Sequence, residues 1–264
     1  MKILIKIGGT LLDSELSRRR LCDEITASAS SGAQCVVVHG GGKQMTRFLA
    51  ERGIESQFIN GLRVTTPEVL DAVLKVLAGT VNRELVASFI AAGASAVGIT
   101  GMDGMTTQAE PLNPQLGAVG KPIHSDPRLL HTLLDHGYLP VVACVAGDRA
   151  GRFYNVNADQ MAVACAVAWE AEQLLFLTDV EGVRGPDRQT RATLTATECA
   201  KLIDNQVATG GMRAKLEAAT DALARGVKQV VIAPGAEPGV IAQFLSGGTI
   251  GTRIVGDALA CPHR

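Results

Sequence analysis

MKILIKIGGT, residues 1–10, decides the fold. Lys2–Ile7 is an aliphatic run with no polar alternation beyond its two lysines, the pattern of a strand covered on both faces, and Gly8 and Gly9 end it abruptly. The same figure returns at QCVVVHGGG, residues 34–42, where a β-branched run stops at Gly40, Gly41 and Gly42. Further out, Ala96–Ile99, Pro140–Val145, Gln173–Leu177 and Gln229–Ile232 read as strands. Helical periods fill the intervals at Ser14–Ser30, Lys43–Arg52, Pro67–Ala92, Pro127–His136, Ala158–Trp169, Ala196–Ile203 and Met212–Arg225. Strand and helix in steady alternation predict an α/β fold with an open, mainly parallel sheet. Gly53, Gly93, Gly137 and Gly226 stand where left-handed residues close helices. Residues 101–125, 146–157 and 185–193 break the rhythm as turn-rich insertions, the first suited to a hairpin or a loop over a site.

Composition narrows the function. The 264 residues are 47% hydrophobic but only 3% aromatic, as helices packed on a parallel sheet require, and the net charge of −1 leaves no basic footprint for nucleic acid. Six cysteines are scattered without a C-x-x-C pair, which reads as buried, reduced thiols. No long apolar run occurs and the first strand opens the chain, so a cytoplasmic location is expected.

Glycine-rich turns after strands bring backbone N–H groups close to an anion, and Lys6 stands beside the first of them. The second turn, His39 to Gly42, opens a helix without matching either a P-loop or a dinucleotide fingerprint; His39 itself reads as a packed core residue. Arg63, in NGLRVT, suits a bidentate grip on a carboxylate, or is a solvated charge. In YNVNAD, Asn155 and Asn157 share one side of an extended segment and Asp159 enters the next helix, an arrangement that serves capping as well as binding. Thr178 and Asp179 end an aliphatic strand, where open α/β sheets bind ligands. Lys215, early in a helix, opposes the helix dipole unless an anion lies nearby.

Taken in order, KIGGT, VVHGGG, NGLRVT, AGTVN, GMDG, GYLPVV, NVNADQ, LTDVEGV and GGMRAKL resemble the amino acid kinase family, from about residue 2 to residue 255. The resemblance implies a three-layer α/β/α sandwich. Residues 1–169 would form an N-terminal lobe for the acylated amino acid and for dimerisation, and residues 170–264 a C-terminal lobe for ATP. It implies that Lys6 and Lys215 neutralise charge on the transferring phosphoryl group, that Asp159 holds both, and that Gly9, Gly41 and Gly42 donate backbone N–H groups. Arg63, Asn155 and Asn157 would bind the acceptor. Gly8, Thr178, Asp179, Val180, Gly182, Val183 and Arg184 would line the nucleotide site, closed by Val207, Ala208, Thr209 and Met212.

The implied reaction is ATP-dependent phosphorylation of the γ-carboxylate of N-acetyl-L-glutamate, with Mg²⁺ held mainly by the nucleotide phosphates. Such a carboxylate is ionised at neutral pH, so positioning and electrostatics suffice without a general base. Thr10 and Lys43 depart from the family pattern, which often has proline at the second place, and Lys43 adds a cation near the acceptor. An N-blocked α-aminoadipate, acetylated or linked to an acidic carrier protein, is therefore an alternative acceptor, with Arg18, Arg19 and Arg20 as a carrier contact or a plain solvated face. A nucleotide-binding sensor without catalysis is the alternative of another class. The arginine-inhibited, hexameric members of the family carry a helical extension that is not seen before Lys2, so the resemblance further implies a homodimer without arginine feedback.

Overall fold

The computed structural model describes residues 1–257. In chain order its strands are β1 (Lys2–Ile7), β2 (Gln34–His39), the short pair β3 (Phe58–Ile59) and β4 (Leu62–Arg63), β5 (Ala96–Thr100), β6 (Thr107–Pro111), β7 (Val119–Ser125), β8 (Leu139–Ala143), β9 (Val145–Gly147), β10 (Phe153–Val156), β11 (Gln173–Thr178), β12 (Thr193–Thr195), β13 (Gln229–Pro234) and β14 (Thr252–Val255). The helices are α1 (Glu15–Ser30), α2 (Gly42–Ala50), α3 (Pro67–Val73), α4 (Asn82–Ala91), α5 (Arg128–Asp135), α6 (Ala158–Ala168), α7 (Ala196–Asp204), α8 (Gly210–Ala224) and α9 (Val240–Leu245).

Eight strands form one open sheet in the order β12-β14-β13-β11-β1-β2-β8-β5. The six from β13 to β5 run parallel, while β14 is antiparallel to β13 and carries β12 parallel to itself. β1 lies near the middle, and its Ile3, Leu4, Ile5 and Ile7 are at most 1% exposed, as the unbroken aliphatic run requires. α6 packs with α8 and α8 with α7; separately, α1 packs with α4 and α9. Sheet and helices thus make the expected three-layer α/β/α sandwich. Gly53, Gly93, Gly137 and Gly226 all take positive φ where helices end. Among the described residues, no helix is long and apolar enough to cross a membrane. Cys22, Cys35, Cys144, Cys165 and Cys199 are buried and free; Cys261 lies outside the described residues.

The structure corrects the sequence reading in two places and bears it out in a third. The strand expected over Pro140–Val145 is two: β8 stays in the sheet, and β9 leaves it for a small closed barrel with β6, β7 and β10. The irregular 101–125 segment holds a hairpin, as expected, the antiparallel β6–β7 pair of that barrel. The helix expected over Pro67–Ala92 is interrupted by a π-helical stretch, Leu74–Val81, between α3 and α4.

Candidate active site

The site follows from the strand order. β1 pairs with β2 on one side and β11 on the other, with Ile7 level with both His39 and Leu177. The connections after β1, β2 and β11 therefore leave the sheet together, at the point where the winding reverses and open sheets bind ligands. There a cleft of about 670 Å³ opens, lined by Lys6, Gly8, Gly9, Gly42, Arg63, Thr178, Asp179 and Lys215 among others.

At its base lies a buried charge triplet. Asp159, in the first turn of α6, meets Lys6 Nζ at 2.7 Å through Oδ1 and Lys215 Nζ at 3.3 Å through Oδ2. Asn157 caps the helix, its side-chain oxygen accepting from the Asp159 N–H at 2.9 Å and the Gln160 N–H at 3.2 Å, so the Asp159 carboxylate is left to face the two lysines. Burial pushes that carboxyl upward, yet the two ammonium groups and their hydrogen bonds outweigh it and hold Asp159 below its ordinary value. One carboxylate against two ammonium groups leaves a net positive charge at the cleft floor.

Opposite stand the glycine turns. A Cβ on Gly9 would sit 3.0 Å from Gly42 N and 3.3 Å from Gly41 N, so the two turns touch only because neither carries side chains there. The Gly8 N–H is spent on Leu177 O at 2.9 Å, whereas the Gly9, Gly41 and Gly42 N–H groups have no acceptor among the described residues. Gly41 is buried, and a buried amide without a partner is costly unless a ligand supplies the acceptor. No side chain caps the start of α2, so its amides also remain open to an anion.

Beside the turns is a smaller cavity of about 180 Å³, bounded by Gly40–Gly42, Arg63, Asn155 and Asn157 and walled by apolar side chains such as Leu62, Leu77 and Val119. The Arg63 guanidinium is oriented by Ser56 Oγ, by Gly42 O at 3.2 Å and Thr46 Oγ1 at 2.8 Å, and lies over the Phe58 ring. The Asn155 amide donates to Thr65 Oγ1 at 3.1 Å. A small anion with an apolar appendage fits such a wall.

The residues expected around the nucleotide divide. Gly8, Thr178 and Asp179 line the cleft, with Thr178 Oγ1 donating to Asp179 Oδ1 at 3.2 Å. Val180, Gly182, Val183, Arg184, Val207, Ala208, Thr209 and Met212 fall outside its lining. Val183 packs into the core with its N–H bound to Thr252 Oγ1 at 2.8 Å, and Ala208 is likewise buried. Arg184 pairs with Glu181 at 3.8 Å, Thr209 precedes α8, and Met212 leans on the core. Sequence reading missed Gln44, which donates to Gly9 O at 3.3 Å, and Thr46, which accepts from Arg63 at 2.8 Å; the available signal was their place in the first turns of the helix that follows the glycine turn. Arg18, Arg19 and Arg20 are each engaged within the chain, with Glu84, Glu15 and the Gly235–Ala236 carbonyls respectively.

His39 is a core residue, as expected, fully buried at the end of β2. Burial pulls its pKa from 6.5 down to about 4, helped by the nearby Arg83 charge and opposed by its bond to Gly40 O. A base whose pKa is lower in the folded state stabilises the fold fully above the unfolded value and loses that contribution as pH falls. Stability is therefore expected to drop by about 3 kcal/mol between pH 6.5 and pH 4 on account of this residue. Urea melts across that range read it, and His39→Asn should flatten the slope; an unchanged slope contradicts the assignment.

A central sheet with this switch point, two lysines on one buried aspartate and facing glycine turns define a phosphoryl-transfer protein. The amino acid kinase family matches residues 1–234, and the chain belongs to that family. Within it, the acetylglutamate kinase of Solibacter usitatus is 60% identical over 255 residues, 97% of this chain and 99% of the relative. The acetylglutamate kinase of Acidobacterium capsulatum is 41% identical over 258 residues, 97% of this chain and 99% of the relative. Among solved structures, N-acetylglutamate synthase from Neisseria gonorrhoeae, complexed with coenzyme A and N-acetyl-glutamate, superposes with a TM-score of 0.88 at 27% identity. The match covers 98% of this chain but 60% of that one. The smu.665 protein of Streptococcus mutans superposes at 0.83 with 30% identity, covering 97% of this chain and 99% of that one.

Proposed function

We propose that this protein transfers the γ-phosphoryl group of ATP to the side-chain carboxylate of N-acetyl-L-glutamate, forming an acyl phosphate, a step of arginine biosynthesis. The observation that carries the reading is the pairing of Lys6 and Lys215 on buried Asp159, across the cleft from three glycine amides that have no acceptor among the described residues. The smaller cavity holds the amino acid, with Arg63 and Asn155 on its α-carboxylate and the apolar wall on its acyl group. The reacting carboxylate then lies between the glycine turns and the lysines. As the phosphoryl group passes, Lys6 and Lys215 neutralise its oxygens while Gly9, Gly41 and Gly42 donate to them. Asp159 keeps the two cations apart and in place. No group has to remove a proton.

Both Asp159 oxygens are engaged by lysines, so the oxygen donors left on the nucleotide side of the cleft are Thr178 and Asp179. That set suits a magnesium ion that brings most of its ligands on phosphate oxygens and water. When bound, the ion offsets phosphate charge. The division of labour falls near Trp169, with acceptor and dimer contacts in residues 1–169 and the nucleotide in residues 170–264. The working form is a cytoplasmic homodimer.

The shared name of the two relatives supports glutamate over aminoadipate, and Arg18 and Arg20 are engaged within the chain, which leaves Arg19, exposed beside Glu15, as a small docking charge for an acidic carrier. The presence of Lys6, Asp159 and Lys215 together supports catalysis over sensing. An assay of ADP release with Mg²⁺-ATP tests the choice. N-acetyl-glutamate is expected to exceed N-acetyl-α-aminoadipate in kcat/KM by about tenfold or more, the worth of one methylene in a shaped pocket. The opposite preference moves the substrate to the longer amino acid; ATP binding without turnover of either leaves a sensor.

A further inference from the structure

The glycine turn that offers the Gly41 amide is gripped from behind. His39 Nδ1 lies 2.9 Å from Gly40 O, and His39 Nε2 lies 2.9 Å from Asn82 Nδ2, with both side chains fully buried. We propose that His39 and Asn82 are positioning residues for phosphoryl transfer, acting through the Gly40–Gly41 peptide to aim the Gly41 N–H at the moving group. The inference rests on the reading above that this amide receives phosphoryl or carboxylate oxygen.

The direction of each bond is fixed by groups with a single role. Gly40 O only accepts, so Nδ1 carries the proton. Asn82 Nδ2 also meets Val141 O at 3.0 Å, another pure acceptor, so this end of the amide is the nitrogen and Nε2 must accept from it. Asn82 Oδ1 in turn accepts from Arg83 Nη2. One tautomer of neutral His39 satisfies the whole chain. With Gly40 O drawn toward His39, the trans peptide points the Gly41 N–H the opposite way, away from His39; Gly41 lines the smaller cavity, and its N would lie 3.3 Å from a Cβ on Gly9.

Asn82 reaches this place through two features of the chain around it. Gly98, on β5, leaves room for it, since a Cβ there would collide with Asn82 Oδ1. The π-helical stretch ends at Val81, directly before it. In an α-helix, residues five apart such as Leu77 and Asn82 face different ways; the wider i→i+5 turn aligns them. Accordingly Leu77 and Val81 press on Gly41, where a Cβ would stand 2.5 Å from Leu77 Cδ2 and 3.4 Å from Val81 Cγ2, while Asn82 holds His39.

The test compares His39→Asn with His39→Gln. Asn carries its amide nitrogen at the Nδ1 distance from the backbone and can still donate to Gly40 O; Gln carries it at the Nε2 distance and cannot. His39→Gln is expected to lower kcat by about 10-fold to 10²-fold, the scale of misplacing one oxyanion donor. KM for both substrates should change little, because the lost contact belongs to the transition state. His39→Asn is expected to recover most of that loss. Equal kcat in the two variants, with normal wild-type turnover, overturns this inference alone; a wild type without turnover overturns it together with the proposed function. Should either His39 variant fail to fold, Asn82→Leu, which removes the donor to Nε2 at similar volume, is expected to lower kcat several-fold at constant KM. An unchanged kcat in that variant also overturns the inference.

Discussion

Lys6→Met is expected to reduce kcat by about 10²-fold or more, the cost of removing one preorganised charge from the transition state. Met keeps the packed stem of the lysine on β1 and deletes only the ammonium group, so the sheet should stay intact. The loss falls on kcat because the charge Lys6 meets develops during transfer, while the amino acid is still gripped by Arg63 and Asn155. Steady-state rates with both substrates varied separate these effects. A rise in KM at normal kcat would make Lys6 a binding residue and contradict the mechanism.

Asp159→Asn carries the second large effect, on stability and rate together. Both lysines depend on this carboxylate, and Lys6 and Asp159 are almost wholly buried. With a neutral amide in its place, two ammonium groups face each other at the cleft floor without a counter-ion. Breaking a buried pair by removing one partner costs about 3–5 kcal/mol. Because the Asp159 pKa is lowered in the fold, its contribution is complete above the ordinary carboxylate range and disappears as pH falls through the folded value. The stability gap between wild type and Asp159→Asn should thus be wide at neutral pH and narrow in strong acid. Urea melts at both ends measure it, and a gap that is absent at neutral pH contradicts the role given to Asp159.

The parallel sheet was legible because its strands are local signals, aliphatic runs that mostly end at glycine or, for β11, at Thr178 and Asp179. The same locality made the two glycine turns and the three charged residues readable. What escaped depends on distant partners. Nothing in LPVVACVAG tells Val145 to leave the sheet; the departure follows from the barrel formed with β6, β7 and β10. β14 and the edge strand β12 are short, and their reversed direction is set by pairing rather than by their own residues. Asn82 is marked in the sequence only as the last residue of AGTVN, and nothing local shows that its partner is His39, 43 positions earlier in the chain. Val183 reads as part of a ligand turn by its neighbours, yet Thr252, 69 positions later, binds its N–H and closes it into the core.

The central claim is that a carboxylate oxygen becomes bonded to phosphorus, and trapping that product tests it most directly. Protein, Mg²⁺-ATP and N-acetyl-glutamate are incubated with hydroxylamine, and the hydroxamate formed from the acyl phosphate is measured beside released ADP. The account predicts hydroxamate and ADP in equal amounts with wild type, and both reduced about 10²-fold or more with Lys6→Met. ADP released without hydroxamate would mean that the phosphoryl group goes to water or to another acceptor, and would contradict it.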